Sequence, residues 1–247
     1  LEYLRNDAAQ TRVHDVTTSE ASLTLRYAPG ESFVNSKQRR VPVSLDAPIF
    51  TLTHAMGFKG VLGGDYSFNR TEASVWKRFW LPASWGKIDC SVKAGAEWNT
   101  VPFPLLILPE ANLSYITQRE TFNLINNMEF LNDRYASMSL SYDMNGKLFN
   151  RIPLIKNLKW REMFRVRALW GTLTDKNNPY IGEQNEGLFL FPQGSYLMDP
   201  STPYMEAGVG IENIFKFLRL DYVWRLTYKD HPGIQTKGIR FMMKLSF

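Results

Sequence analysis

The chain has 247 residues, which is enough for one large β domain or two domains of ordinary size. Lysine plus arginine exceeds aspartate plus glutamate by 29 − 24 = 5, and no basic run gathers this excess, so we expect no nucleic-acid partner. No apolar stretch approaches the roughly 18 residues that suggest a membrane helix, which excludes a helical membrane protein and leaves alternating membrane strands open.

The N-terminal residues contain no basic segment followed by an apolar core, so no signal peptide is visible. Leu1 is also not an initiator residue. We therefore expect that the chain is the C-terminal part of a longer protein.

Nine segments alternate between apolar and polar residues, which is the period-two pattern of a strand with one apolar face. In chain order, we predict strands near residues 19–27, 48–57, 63–78, 86–98, 128–144, 158–171, 203–214, 217–228 and 238–247. Several of the segments run for about 10 to 14 residues, which is longer than the usual strand and near the length of a tilted membrane strand.

The polar sides of these segments are too charged for a dry interior. Arg161, Arg165 and Arg167 fall on one side of a single segment, and burying all three without water is prohibitively costly. The pattern favours an all-β, antiparallel transmembrane β-barrel with apolar residues towards lipid over a soluble sandwich or lipocalin-like barrel. The predicted luminal charged face comprises Lys93, Glu97, Arg161, Arg165, Arg167, Arg219, Asp221, Arg225 and Arg240.

The connections between the predicted strands differ in length. We predict long external loops at 99–127 and 174–203, and a tight periplasmic turn at 213–216. The periplasmic side would also carry the link 145–157, and the connection 28–47 is too long for this scheme. An odd count near nine leaves an open edge in lipid, so we expect further strands upstream to close a larger barrel.

The last ten residues form an alternating strand that ends in an aromatic carboxylate. One side of this strand carries Ile239, Phe241, Met243, Leu245 and Phe247. An amphipathic extended segment of this kind can add to an exposed sheet edge. The ending resembles the signal by which outer-membrane barrels are recognised by their insertion machinery, and we predict that it is the closing strand.

Residue types that carry catalysis or bind metals are scattered. His14, His54 and His231 lie in separate segments, and Cys90 is the single cysteine, so no zinc-type spacing occurs. No GxSxG, P-loop or HExxH motif is present. Acidic residues such as Glu206, Glu212 and Asp221 could meet inside the barrel and act as a catalytic pair. We favour the alternative, that they are luminal charges balanced by Arg219, Arg225 and Arg240. We expect no enzyme activity, no cofactor and no metal.

Five long stretches resemble the C-terminal barrel of a Bacteroidota outer-membrane family of unknown function. They are RYAPGESFV, PIFTLTHAMGFKGVLGGDYSFNRTEAS, FNLINNMEFLNDRYASMSL, LFNRIPLIKNLKWRE and PYMEAGVGIENIFKFLRLDYVWRLTY. Members of that family typically carry an N-terminal carboxypeptidase-regulatory-like domain, which is absent from this chain. The resemblance implies a barrel in a Gram-negative outer membrane, in contact with its lipid.

A second resemblance concerns GVGIEN, FLRLDYVWRL and GIRFMMKLSF, which are similar to the last strands of the BamA and two-partner-secretion transporter superfamily. Barrels of that superfamily have sixteen strands, and the loop that corresponds to 99–127 folds into the lumen. The resemblance implies a role in assembling or translocating outer-membrane proteins, with other outer-membrane proteins or lipoproteins as partners. The alternatives are a passive, porin-like channel and a scaffold subunit that uses the long loops.

Overall fold

The computed structural model of the chain describes residues 3–7, 9–35, 37, 39–118, 120–181, 185 and 187–243. The helical elements in this part are one short α-helix, α1 (Pro153–Lys156), and 3-10 turns at Phe103–Leu105, Phe149–Arg151 and Asp175–Asn177, and Asn185 also has 3-10 conformation. None of the described helices is long and apolar enough to cross a lipid bilayer.

The strands within the described residues are β1 (Tyr3–Leu4), β2 (Arg12–Val13), β3 (Glu20–Tyr27), β4 (Phe33–Asn35), β5 (Arg40–Pro42), β6 (Ile49–Gly57), β7 (Phe68–Trp80), β8 (Lys87–Glu97), β9 (Arg134–Asp143), β10 (Arg161–Thr172), β11 (Tyr204–Ile214), β12 (Leu218–Arg225) and β13 (Lys237–Met243). Nine of them form one antiparallel sheet in the order β3-β6-β7-β8-β9-β10-β11-β12-β13. The expected all-β, antiparallel class is therefore confirmed.

Each of the nine alternating segments contains one strand of this sheet, and the largest differences from the predicted boundaries are at the starts of β7 and β9. Strand β7 begins at Phe68 because residues 58–64 form turns, and β9 begins at Arg134 rather than near residue 128. The connection 28–47 that was too long for a turn contains the hairpin of β4 and β5. Alternation located the strands, whereas it continued past their ends into the loops.

The position of one cavity shows that the sheet is curved. This cavity of about 230 Å³ is lined by Trp76 of β7, by Met242 of β13 and by residues of all five strands between them. Strands β7 and β13 are six spacings apart, about 29 Å along a flat sheet. One cavity of this size can contact both strands only if the sheet bends round it. We call the side that faces the cavity the concave face and the opposite side the convex face.

The two faces have the reverse of the usual polarity of a sheet in water. On the concave face, Arg167 and Arg225 are each 1% exposed. On the convex face, Phe164 is 40% exposed and Trp224 is 37% exposed. The alternation therefore places charged side chains inside and apolar side chains outside along β8 and β10 to β13.

The buried apolar core lies between two long connections, the 98–133 loop after β8 and the 173–203 loop after β10. Phe103, Leu131 and Phe189 belong to one cluster, while Phe130 and Met198 belong to a second. Both clusters combine residues of the two loops. The stretches predicted as external loops thus supply much of the packed interior.

The turn between β7 and β8 approaches the end of β9 closely at Gly86. This residue has a φ of +90°, and a Cβ placed there would lie 1.8 Å from the backbone oxygen of Asp143. We expect Gly86→Ala to lower the free energy of unfolding by about 2–4 kcal/mol, because a left-handed conformation and a backbone clash add together. Denaturant unfolding measures the effect.

Ala83 is a matched control because it lies in the same turn and already has a φ of 53°. Ala83→Gly should leave the stability unchanged or raise it slightly, since glycine adopts this conformation without steric cost. Equal stabilities of the Gly86→Ala protein and the unmodified chain would contradict the close approach.

Candidate functional site

The candidate site consists of the concave face of β10 to β13 and the 98–133 loop that packs against it. The period-two alternation brings the charged residues of each strand to this face, and antiparallel pairing aligns them across strands. Some of these charges pair with each other on the sheet, as Arg167 does with Glu206, but a guanidinium has more donors than one carboxylate satisfies. The loop supplies the further partners.

Arg167 on β10 and Glu206 on β11 form a buried ion pair. They are directly opposite in the register, with Nη1 of Arg167 3.3 Å from Oε1 of Glu206 and exposures of 1% and 2%. Glu206 also accepts hydrogen bonds from the backbone N–H groups of Asn123 (2.9 Å) and Leu124 (3.2 Å). Arg167 donates in turn to the backbone oxygen of Thr121. One ion pair therefore fixes both donors and acceptors of the loop backbone.

Arg225 on β12 makes a two-pronged contact with Glu129 of the loop. Its Nη2 lies 2.5 Å from Oε1 of Glu129, and its Nη1 lies 3.0 Å from Oε2 and 3.1 Å from the backbone oxygen of Leu124. Burial raises the pKa of Glu129, but hydrogen bonds from Arg225, Asn126 and His231 outweigh that effect and bring its pKa below the usual value. The loop thus carries a permanent negative charge to the most buried cation of β12.

Asp221 on β12 joins the loop to its own strand. Its Oδ1 lies 2.8 Å from Nη2 of Arg219, and its Oδ2 accepts a hydrogen bond of 2.9 Å from the hydroxyl of Thr117. The carboxylate lies over Gly210 of β11, where a Cβ would be 2.1 Å from Oδ1. A side chain at this position would therefore force the Asp221 carboxylate to shift from its present place beside Arg219 and Thr117.

The loop also reaches the outer edge of the sheet. The backbone N–H of Phe241 on β13 donates to the oxygen of Tyr115 at 2.9 Å, and the N–H of Thr117 donates to the oxygen of Phe241 at 2.7 Å. Ile116 is thereby paired in parallel with Phe241. Residues 115–117, which we call the edge segment, therefore occupy part of the edge of β13 that faces away from β12.

The residues of the predicted charged face are not equivalent. Six of them are buried, namely Glu97, Arg167, Arg219, Asp221, Arg225 and Arg240. Lys93 and Arg165 are partly exposed and line the cavity, whereas Arg161 is exposed at the start of β10. We expected water on this face, but the 98–133 loop covers much of it, because its carbonyl and carboxylate oxygens replace water around the arginines.

Sequence reasoning missed the loop residues that complete the site. Glu129 was placed in a predicted strand, and Thr117 and Asn123 carried no signal because their partners lie more than 80 residues away. In the closing strand, Ile239, Phe241 and Met243 are exposed on the convex face. Leu245 and Phe247 lie outside the described residues.

Residues 3–183 of the chain match the C-terminal domain of a family of unknown function (DUF5686), and this stretch is well over half of the sequence. The chain belongs to this family. No curated protein matches it. The expected membership in a family of unknown function is confirmed, whereas the Bacteroidota source, the barrel and the similarity to the BamA superfamily stay predictions.

The family match ends within the 173–203 loop, so β11 to β13 lie beyond it. These three strands nevertheless supply Glu206, Arg225 and Arg240 to the 98–133 loop.

Within the part of the chain that the structure describes, no group of three histidine, cysteine, aspartate or glutamate side chains is placed to hold a metal ion. The site is therefore a network of ion pairs and backbone contacts.

A double-mutant cycle tests whether the Arg225–Glu129 pair fixes the loop. We expect Arg225→Met or Glu129→Gln alone to lower the free energy of unfolding by about 3–5 kcal/mol, because each leaves a buried charge uncompensated. The double variant should cost much less than the sum of the two single variants. Strictly additive costs in denaturant unfolding would contradict a coupled buried pair.

Proposed function

We propose that this protein is an outer-membrane β-barrel that assembles or translocates other outer-membrane proteins through the edge of β13. The observation that carries the proposal is the pairing of the edge segment 115–117 with Phe241. This pairing supports the idea that the edge of β13 can accept an added strand while the rest of the barrel stays folded. The argument has three parts, which concern the convex face, the closure of the sheet and the edge itself.

The apolar convex face supports contact with lipid. Large side chains that are at least 40% exposed occur there on seven strands, β6 to β8 and β10 to β13, and include Leu52, Val75, Val92, Phe164, Val209, Leu220 and Ile239. Water-exposed apolar patches of monomeric proteins rarely exceed a few hundred Å². A face that continues over so many strands fits the outward apolar band of a membrane barrel.

Closure of the sheet follows from the two outer strands. Strands β3 and β13 are not paired with each other within the described residues. Open edges in hydrocarbon leave backbone N–H and C=O groups unsatisfied at several kcal/mol each. We therefore propose that additional strands complete the barrel between these edges and meet β13 in a weak seam that can open, with sixteen strands as the expected total. The curvature shown by the cavity supports such a closure.

The edge of β13 is held weakly where the edge segment contacts it. Two backbone hydrogen bonds join Phe241 to the segment, and each contributes about 1 kcal/mol. A client strand that paired along the whole of β13 would make more such bonds, and its apolar residues could continue the convex face. The client can therefore displace the edge segment, and the loop can return to the edge after the client is released.

A passive channel and a scaffold subunit are the alternatives. The cavity has basic residues on its wall, which would favour anions, yet an open pore requires the 98–133 loop to leave the concave face. That movement breaks the buried contacts of Arg167 and Arg225, which favours a closed resting state. A scaffold would use the 98–133 and 173–203 loops, much of whose apolar surface is already buried in the core.

The lipid assignment predicts a strong difference between two neighbouring positions of β8. Val92 is 42% exposed on the convex face, whereas Lys93 contacts the exposed carboxylates of Glu110 and Glu120 on the concave face. Val92→Arg should destabilise the protein folded in lipid by about 2–4 kcal/mol if the residue lies near the bilayer midplane. Lys93→Ala should cost less than about 1 kcal/mol. Refolding into vesicles measures both, and equal costs would contradict the assignment of the faces.

A reversible crosslink tests the role of the edge. Cysteines replacing Ile116 and Phe241, in a Cys90→Ser background, should form a disulfide because paired strands bring their Cα atoms within bonding range. We expect that the oxidised protein lowers the abundance of other outer-membrane barrels in cells, and that a reductant restores it. The two single-cysteine variants are controls and should be unaffected. If other outer-membrane barrels keep their normal abundance while the crosslink is in place, the proposal is contradicted.

A further inference from the structure

Arg165 differs from its neighbours on the concave face because its guanidinium has no hydrogen bond or ion pair to any described residue. It lies on β10, two residues before Arg167, and its side chain lines the 230 Å³ cavity. The buried arginines of the neighbouring positions each have a carboxylate partner. An arginine without a described partner, beside an open cavity, suggests that a ligand binds there.

The charged groups that act most strongly on Arg165 are paired with one another. The charged groups closest in effect to Arg165 are Arg167, Arg219, Glu206 and Asp221. Glu206 is paired with Arg167, and Asp221 is paired with Arg219. The two carboxylates that act most on Arg165 are therefore each engaged by another arginine. Other carboxylates line the cavity, Glu212 among them, but none lies within ion-pair distance of Arg165 among the described residues.

Other donors line the same cavity. Ser141 of β9 is directly opposite Arg165 in the register, and its hydroxyl has no hydrogen bond within the described part of the chain. Gly208 of β11 is opposite Arg165 on the other side and adds no side chain to the face. The strand pairs thus place an unpaired guanidinium beside an unpaired hydroxyl and leave space next to both.

We propose that Arg165 and Ser141 form a binding site for a small oxyanion, a carboxylate or a phosphate group, within the concave cavity. Guanidinium groups bind such anions through two parallel N–H···O bonds, and a serine hydroxyl can donate a third. The cavity is smaller than the roughly 300–1,000 Å³ of sites for drug-sized ligands, so it fits a small anion. The site goes beyond the proposed function, since it requires neither a client strand nor a closed barrel.

The test is a calorimetric titration of the full chain with inorganic phosphate and, separately, with acetate at constant ionic strength. We expect saturable binding of at least one anion. Arg165→Met should weaken it by about tenfold or more, the loss expected for hydrogen bonds to a charged group. Ser141→Ala should weaken it several-fold. Tighter binding of phosphate would identify a phosphoryl ligand, and tighter binding of acetate a carboxylate ligand.

Arg161→Met is the matched control, because Arg161 lies on the same strand and side but is exposed and lines no part of the cavity. It should leave the affinity within twofold of the unmodified chain. If Arg165→Met does not fold, Ser141→Ala and Arg165→Lys, which keeps the charge and loses the paired geometry, provide the same comparison. Absence of saturable binding, or equal affinities of all variants, would overturn the proposal.

Discussion

The burial of arginine side chains is the constraint on which the arrangement of this protein depends. A guanidinium has five donors and keeps its charge, so it is stable in an interior only when oxygens surround it. The sheet supplies some of them through the carboxylates of Glu206 and Asp221, but its backbone oxygens are used in strand pairing. The 98–133 loop supplies others to Arg167, Arg225 and Arg240 through the backbone oxygens of Thr121, Leu124 and Asn123. The conformation of the loop is therefore fixed by its hydrogen bonds to the arginines of the concave face.

The same constraint explains what could be predicted from the sequence. Period-two alternation located the nine strands of the sheet, because each side chain on a strand has only two directions to point. The charges along β10 and β12 identified the polar side for the same reason. The loop could not be predicted, since it binds arginines through backbone carbonyls that every residue possesses. Glu129 shows the limit of this reasoning, because the predicted strand was extended over residues 128–133, where the adjacent Phe130 and Leu131 already break the alternation and the chain forms a loop.

The cavity and the edge of β13 are related through the one loop that borders both. Glu120 lines the cavity wall, and residues 115–117 of the same loop contact Phe241. The same loop therefore forms part of the wall of the cavity and part of the cover of the β13 edge.

The separation in sequence between the loop and its partners has a kinetic consequence. Glu206, Arg225 and Arg240 lie 82 to 117 residues after the loop residues that they contact. Contacts across such distances form late, because long stretches of chain must be ordered first. Until β11 to β13 are in place, the loop has few of its anchors and the arginines of β10 lack their oxygens. Completion of the sheet and docking of the loop are therefore one cooperative event, and a chain halted before β13 would still hold its polar interior open.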